Sequence, residues 1–286
     1  MSRKNSERLA HNNLALLEVA SARGGRIVRS MHQLTRRDFV QSAGLSVLAA
    51  ACCKRTDAAA NQPERSGVML YSRPGTPTER AEPGLHPLGL GSGRDGFIYI
   101  PPTYTPLQAS PLLVLLHGAG QSAREFTRGP MGEIFDKDAI IVVIPDSRNA
   151  TWDMIYGEYG PDVRFIDRAL DLAFSKCRID PNKIALGGFS DGATYALSLG
   201  ITNANLFHTV LAFSPGFVKP AVKTGKPRIF IGHGRQDEIL PIDLTSREIV
   251  AALREKNYPV KFEEFDGNHT MTREEVNHAI DWLMER

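Results

Sequence analysis

The stretch that decides the fold is Ile184–Thr194, IALGGFSDGAT. Lys183–Phe189 is an apolar run that stops on paired glycines, and Ser190, Asp191 and a third glycine follow. From about 192 to 201, Ala193, Ala196, Leu197 and Leu199 recur at helical spacing. Gly188 and Gly192 lie two residues either side of Ser190, which gives the pattern G-x-S-x-G. A sharp strand-to-helix corner leaves no room for side chains at the flanking positions and holds its serine out from the backbone. Taken alone, the same residues also describe a helix-capping serine in a glycine turn, so the rest of the chain has to discriminate.

Outward from that corner the sequence alternates between strand and helix. VMLYSRP (68–74) and GFIYIPP (96–102) are expected as strands of an antiparallel, hairpin-like entry, separated by a Gly/Pro-rich loop. PLLVLLHG (111–118) and AIIVVIPD (139–146) are continuous apolar runs, as strands covered on both faces require. A helix over 162–177 places Val163, Ile166, Leu170, Ala173 and Cys177 on one face, making Cys177 a small buried hydrophobe. Asp162 stands at the start of that helix as a cap.

HTVLAFS (208–214), PRIFIGHG (227–234) and VKFEEF (260–265) are further strands; Asp243–Lys256 and Arg273–Met284 are further helices. Thr272 with Glu275 three residues on forms a capping box. This alternation predicts an α/β fold with a mostly parallel central sheet flanked by helices. Only the loop Ser147–Pro161 is long, so no large lid domain is expected.

In such a sheet, functional groups gather beyond the C-terminal strand ends. Three stretches there join GGFSDG. The run LLVLLHGAGQS ends in His117-Gly118-Ala119-Gly120, and the backbone amides of Ala119 and Asp191 are the candidate donors for a developing oxyanion. His117 belongs to the strand end and is read as a brace for this loop. In IFIGHGRQDEILP, Asp237 follows a strand and a glycine turn, where an acid can hold a histidine in one tautomer; Glu238 and Asp243 are its rivals. In FEEFDGNHTMTREE, His269 sits between the last strand and the last helix, whereas His278 lies within that helix and His208 precedes a strand. The chain order Ser190, Asp237, His269 is that of an α/β-hydrolase triad.

On LLHGAG, GGFSDGA, GHGRQDEILP and GNH, residues 95–286 resemble the phospholipase/carboxylesterase branch of the α/β-hydrolases, which includes the acyl-protein thioesterases. They are also similar to secreted esterases of the polyhydroxyalkanoate-depolymerase type. The resemblance implies an α/β-hydrolase fold, with Ser190 as nucleophile, Asp237 as acid, His269 as base, and the Ala119 and Asp191 amides at the oxyanion. It implies acyl transfer on a small-molecule carboxylic ester with no metal and no cofactor. Acyl-protein thioesterases usually carry Gln where this chain has Asp191, which argues against an intracellular depalmitoylase. A peptidase or thioesterase of the same fold, and a secreted non-catalytic binding domain, are the competing readings. For the acyl group, NATWDMIYGEYGPD offers Trp152, Met154 and Tyr156 as a hydrophobic pocket.

Charge separates the first sixty residues from the remainder. Residues 1–60 hold ten Lys+Arg against four Asp+Glu; the totals of 34 and 32 leave 24 and 28 for residues 61–286. The basic excess therefore belongs to the N-terminal segment, and no nucleic-acid partner is expected for the domain. Within that segment TRRDFV (35–40) precedes a short Ala/Gly-rich run, similar to a twin-arginine signal in which Arg36 and Arg37 are read by the export machinery. Ala43–Ala51 falls short of the roughly 20 apolar residues a spanning helix needs.

LAAAC (48–52) is a loose lipoprotein-processing pattern, with Cys52 as lipidation candidate and membrane anchor; plain cleavage after Ala51 or Ala60 competes with it. Met31 would give an ordinary short n-region as an alternative start. The expected organisation is a signal-bearing extension over 1–60, a linker over 61–66 and a catalytic domain over 67–286. Its expected address is exported: periplasmic, membrane-anchored or extracellular. Three cysteines, two of them adjacent, supply neither a disulfide scaffold nor a zinc cluster.

Overall fold

The computed structural model describes residues 67–91 and 93–285. The expected export signal with Arg36 and Arg37, the alternative start Met31, the lipidation candidate Cys52 and the expected 61–66 linker lie outside the described residues. Eight strands form one sheet: β1 Gly84–Pro87, β2 Gly96–Ile100, β3 Ser110–Leu116, β4 Ile141–Pro145, β5 Ile179–Phe189, β6 Thr209–Phe213, β7 Arg228–Gly234 and β8 Val260–Phe265. Their spatial order is β1-β2-β4-β3-β5-β6-β7-β8. The pairs β1–β2 and β2–β4 are antiparallel, and every pairing from β4–β3 to β7–β8 is parallel. The helices are α1 Ala123–Thr127, α2 Met131–Phe135, α3 Pro161–Lys176, α4 Asp191–Thr202, α5 Ser246–Glu255 and α6 Arg273–Met284.

The continuous apolar runs have a simple cause. Alternate residues of one strand feed two separate cores, one on each face of the sheet. Leu112, Val114 and Leu116 of β3 pack with Ile166 and Leu170 of α3, Ala196 and Leu199 of α4 and Leu253 of α5. Leu113 and Leu115 turn the other way, onto Ala123 of α1, Phe135 of α2 and Ile280 and Leu283 of α6. Each such side chain contributes about 1.5–3 kcal/mol when fully buried, so a central strand that offered a polar face would forfeit half of its stabilisation.

Three expectations are corrected. VMLYSRP is not a strand: Asn203 accepts the amide of Leu70 (2.9 Å), and the Asp167 carboxylate accepts those of Tyr71 and Ser72 (2.7 and 2.8 Å). With its amides taken by side chains of α3 and of the residue after α4, the segment has no ladder to join. The antiparallel entry instead uses β1, which falls inside the stretch read as loop. The helix expected over 243–256 is broken, with a 3-10 turn over Ile242–Leu244 and α5 beginning at Ser246. Thr245 at the break has φ −129° and ψ −94°, and its hydroxyl donates back to Pro241 O. Asp162 does not cap α3 either. Asp153, from the preceding loop, accepts the amides of Gly160 and Asp162 (2.9 and 2.8 Å), while the Asp162 carboxylate takes those of Arg148 and Asp153. The Thr272–Glu275 capping box of α6 is present as read.

Candidate active site

Strands β3, β5, β6 and β7 end in register, so the residues just past them share one edge of the sheet. Ser190 is the first residue beyond β5, and its amide donates to Phe213 O at the end of β6 (2.9 Å). Its backbone has φ 57° and ψ −120°, in the region that side-chain-bearing residues avoid, at a cost on the order of 1–3 kcal/mol. The two flanking glycines explain how the turn closes. A Cβ on Gly192 would strike the carbonyl oxygens of Leu116 and His117, and one on Gly188 would strike the backbone of Gly192. Helix α4 can therefore start directly over the end of β3 only because neither position carries a side chain.

His269, in the loop between β8 and α6, reaches this corner. Its Nε2 lies 2.9 Å from Ser190 Oγ and its Nδ1 lies 2.6 Å from Asp237 Oδ2. The imidazole is braced by the Phe189 ring, 4.8 Å away between centroids. Asp237 is buried, and its other oxygen, Oδ1, accepts the amides of Ile239 and Leu240 (2.9 and 2.8 Å). Burial alone would raise the Asp237 carboxyl. Hydrogen bonds from His233, His269 and the Leu240 amide outweigh it and hold the group well below the usual carboxylate range. An ionised Oδ2 fixes the proton of His269 on Nδ1 and leaves Nε2 as the acceptor facing the serine hydroxyl.

On the opposite side of Ser190 lies the loop after β3. Gly118 touches it closely: a Cβ there would stand 3.3 Å from Ser190 Cβ. Among the described residues, the amides of Ala119 and Asp191 have no acceptor, so both are open donors beside Ser190. The loop is held from behind. Gly120 donates to Ala150 O (2.7 Å), the Trp152 indole donates to His117 O (2.8 Å), and Thr151 donates to Asp191 Oδ2 (2.7 Å). His117 is fully buried; its Nε2 accepts the Ser147 amide (3.0 Å), which places its proton on Nδ1 facing Gly118 O (2.8 Å). Burial lowers its pKa. Burial likewise raises the Asp191 carboxyl, opposed by the Thr151 hydroxyl and the nearby His269.

The fold recurs in solved proteins. A fluorophosphonate-binding serine hydrolase of Staphylococcus aureus superposes with a TM-score of 0.57 at 16% identity, covering 72% of this chain and 100% of that one. The chain has the α/β-hydrolase fold. Residues 163–285 match the family described as Phospholipase/Carboxylesterase. A bifunctional acetylxylan esterase/xylanase of Neocallimastix patriciarum is 29% identical over 154 residues, 52% of this chain and 22% of that protein. "Probable feruloyl esterase C" of Aspergillus oryzae is 27% identical over 167 residues, 56% of this chain and 60% of that protein. The chain thus aligns with about a fifth and three fifths of the lengths of these two curated relatives.

The three residues expected to line an acyl pocket separate. Trp152 is wholly buried in the core, between His117 and Tyr195, and has no surface to offer a ligand. Met154 is also buried, at the wall of a cavity of about 450 Å³ shared with Val68, Tyr159, Lys219 and Pro220, whose lining includes neither Ser190 nor His269. Tyr156 is 63% exposed. The loop 147–160 braces the Ala119 side of the corner from buried polar groups, which apolar content alone does not reveal.

One residue at the site was missed in the sequence. His233, four positions before Asp237 at the end of β7, is fully buried with Nε2 3.0 Å from Asp237 Oδ2. Its signal was the GHG of IFIGHGRQD, where an aromatic polar side chain sits between glycines in an otherwise apolar strand. Among the described residues no group of three or more His, Cys, Asp or Glu could hold a metal ion, and no helix is long and apolar enough to cross a membrane.

Proposed function

We propose that the chain is a serine esterase acting on small to moderately sized carboxylic esters through an acyl-enzyme. The observation that carries this reading is the hydrogen-bonded line Ser190 Oγ–His269 Nε2, His269 Nδ1–Asp237 Oδ2, at 2.9 and 2.6 Å, built on a serine held at φ 57°. His269 takes the Ser190 proton as Oγ attacks the ester carbonyl. The negative charge that forms on the carbonyl oxygen is received by the amides of Ala119 and Asp191. The imidazolium passes its proton to the departing alcohol, and water, activated by the same nitrogen, releases the acid from Ser190. Asp237 stays ionised throughout and stabilises the imidazolium in the correct orientation.

The names of the curated relatives make acetyl and feruloyl esters the first substrates to test. Hydrolysis of p-nitrophenyl acetate and methyl ferulate by residues 67–286 is expected, and Ser190→Ala abolishes both. Turnover that survives in Ser190→Ala, or no ester turnover in the native protein, contradicts the reading. The proposal extends to the address: Arg36 and Arg37 direct export by the twin-arginine route, to the periplasm, to a membrane through Cys52, or outside the cell. A reporter fused to residues 31–60 is then exported and becomes cytoplasmic when both arginines are replaced by lysine. Retention of the native fusion in the cytoplasm sinks that part alone.

A further inference from the structure

Asp237 Oδ2 faces two histidines, and the mechanism uses only one of them. His269 Nδ1 lies 2.6 Å away and His233 Nε2 lies 3.0 Å away. The protonation of His233 follows from its partners. Its Nε2 also faces Leu240 O at 2.8 Å, an oxygen that can only accept, so Nε2 carries a hydrogen. Its Nδ1 faces Ser246 Oγ at 2.6 Å, and Ser246 is fully buried with no other side-chain partner among the described residues. A hydroxyl with one partner donates to it, since the alternative leaves its proton buried and unsatisfied. His233 is therefore the neutral Nε2–H tautomer, fastened to α5 at one end and presenting an N–H to the acid at the other.

We propose that His233 is a positioning residue for the reaction: its single Nε2–H, bonded to Leu240 O, also faces Asp237 Oδ2 at 3.0 Å beside the His269 Nδ1–H, while the amides of Ile239 and Leu240 hold Oδ1. Three hydrogen bonds, with the shared His233 N–H beside them, then fix the plane of the carboxylate. The arrangement also divides the negative charge of Oδ2 between two N–H groups, so His269 receives less than the whole of it. Removing the His233 donor strengthens the remaining bond to His269 and favours its imidazolium. This inference rests on Ser190, His269 and Asp237 being the catalytic groups.

The charged and titratable neighbours are few. Around His233 they are Asp237, the Ser246 hydroxyl of α5 and Glu275 of α6, whose carboxyl senses His233. Glu264, its register partner on β8, is engaged by Arg235 and Arg247. Around His269 they are Asp237, Ser190 and Asp191. All except the substituted residue are kept in every variant compared, so their contributions cancel.

The test is the pH profile of kcat/KM for p-nitrophenyl acetate in His233→Leu, His233→Gln, Ser246→Ala and Ser190→Ala. The acid limb of His233→Leu is expected to move up by about half a pH unit, with kcat several-fold lower and KM unchanged. His233→Gln, whose amide N–H reaches the position of Nε2–H, keeps the native limb. Ser246→Ala moves the limb in the same direction by less, and it serves as the deciding variant should His233→Leu fail to fold. An unmoved or lowered limb in the deciding variant overturns the inference, as does a His233→Gln limb that matches His233→Leu. If Ser190→Ala retains turnover, it is the reading of the site that fails. If Ser190→Ala is inactive and the limb stays still, only the role of His233 fails.

Discussion

His117 and His269 both stand at the C-terminal edge of the sheet, on opposite sides of Ser190, yet they have opposite characters. His117 has both nitrogens committed, Nδ1 to Gly118 O and Nε2 to the Ser147 amide, and no exposed surface. His269 commits Nδ1 to an ionised acid and turns Nε2 to the serine, with 13% of its side chain open to solvent. A histidine at a strand end is thus structural when its second nitrogen is spent on backbone. It is chemical when that nitrogen faces a group whose proton can be taken. The residues that brace each one make the same division: backbone, an indole and the Arg94 guanidinium around His117, a buried carboxylate held by the Ile239 and Leu240 amides behind His269.

The largest effect expected is on the chemical side. His269→Gln should lower kcat/KM by about 10⁴-fold or more with little change in Tm, whereas His117→Gln should leave most of the activity. The cost in His117→Gln appears in stability, about 1–3 kcal/mol for the Gly118 carbonyl left without its Nδ1–H donor, read by urea unfolding. Equal activity losses in the two variants would erase the contrast. Asp237→Asn comes next. Its amide presents N–H where an acceptor is needed and favours the wrong imidazole tautomer, so kcat should fall by about 10⁴-fold. A loss in KM alone would show that the acid does not orient His269.

The His269 loop ends at the capping box of α6, where Glu275 is buried with Oε1 unpartnered. Burial raises its pKa to about 7 against an ordinary value of 4.5, despite the opposing hydrogen bonds from Thr272. Between those pH values the folded protein holds more protons than the unfolded chain, so stability falls as pH rises through the window. Glu275→Gln keeps an acceptor for Thr272 and removes the charge. At pH 8 it should be more stable than native by on the order of 2 kcal/mol, and at pH 5 nearly equal. Parallel Tm curves from pH 5 to 8 would contradict this. The smallest effect belongs to the other side: Trp152→Phe loses the indole bond to His117 O, costing about 1 kcal/mol, with activity only a few-fold lower by p-nitrophenyl acetate assay.

The same division marks what could be read from the sequence. Strands β2 to β8 and helices α3, α4 and α6 were legible: two-faced burial writes continuous apolar runs in β3, β4, β6 and β7, and one-sided burial writes helical periodicity in α3 and α6. G-x-S-x-G was legible because glycine is forced by backbone contact at 188 and 192. What escaped was held by polar side chains acting at a distance in sequence. The carboxylate of Asp167 takes the amides that would have made 68–74 a strand. Short α1 and α2 carry too few residues for a periodicity. Trp152 reads as a wall of the acyl pocket until its bond to His117 O, 35 residues away, draws it into the core. His233 was hidden for the same reason, since its partners Asp237 and Ser246 only meet in the folded chain.

The central claim is that Ser190 is the one activated nucleophile. It is tested most directly by treating residues 67–286 with a fluorophosphonate probe and mapping the adduct by peptide mass spectrometry. One probe per chain on Ser190, lost in Ser190→Ala and slowed strongly in His269→Gln, is the result predicted. Labelling elsewhere, or at Ser190 with no dependence on His269, would contradict it.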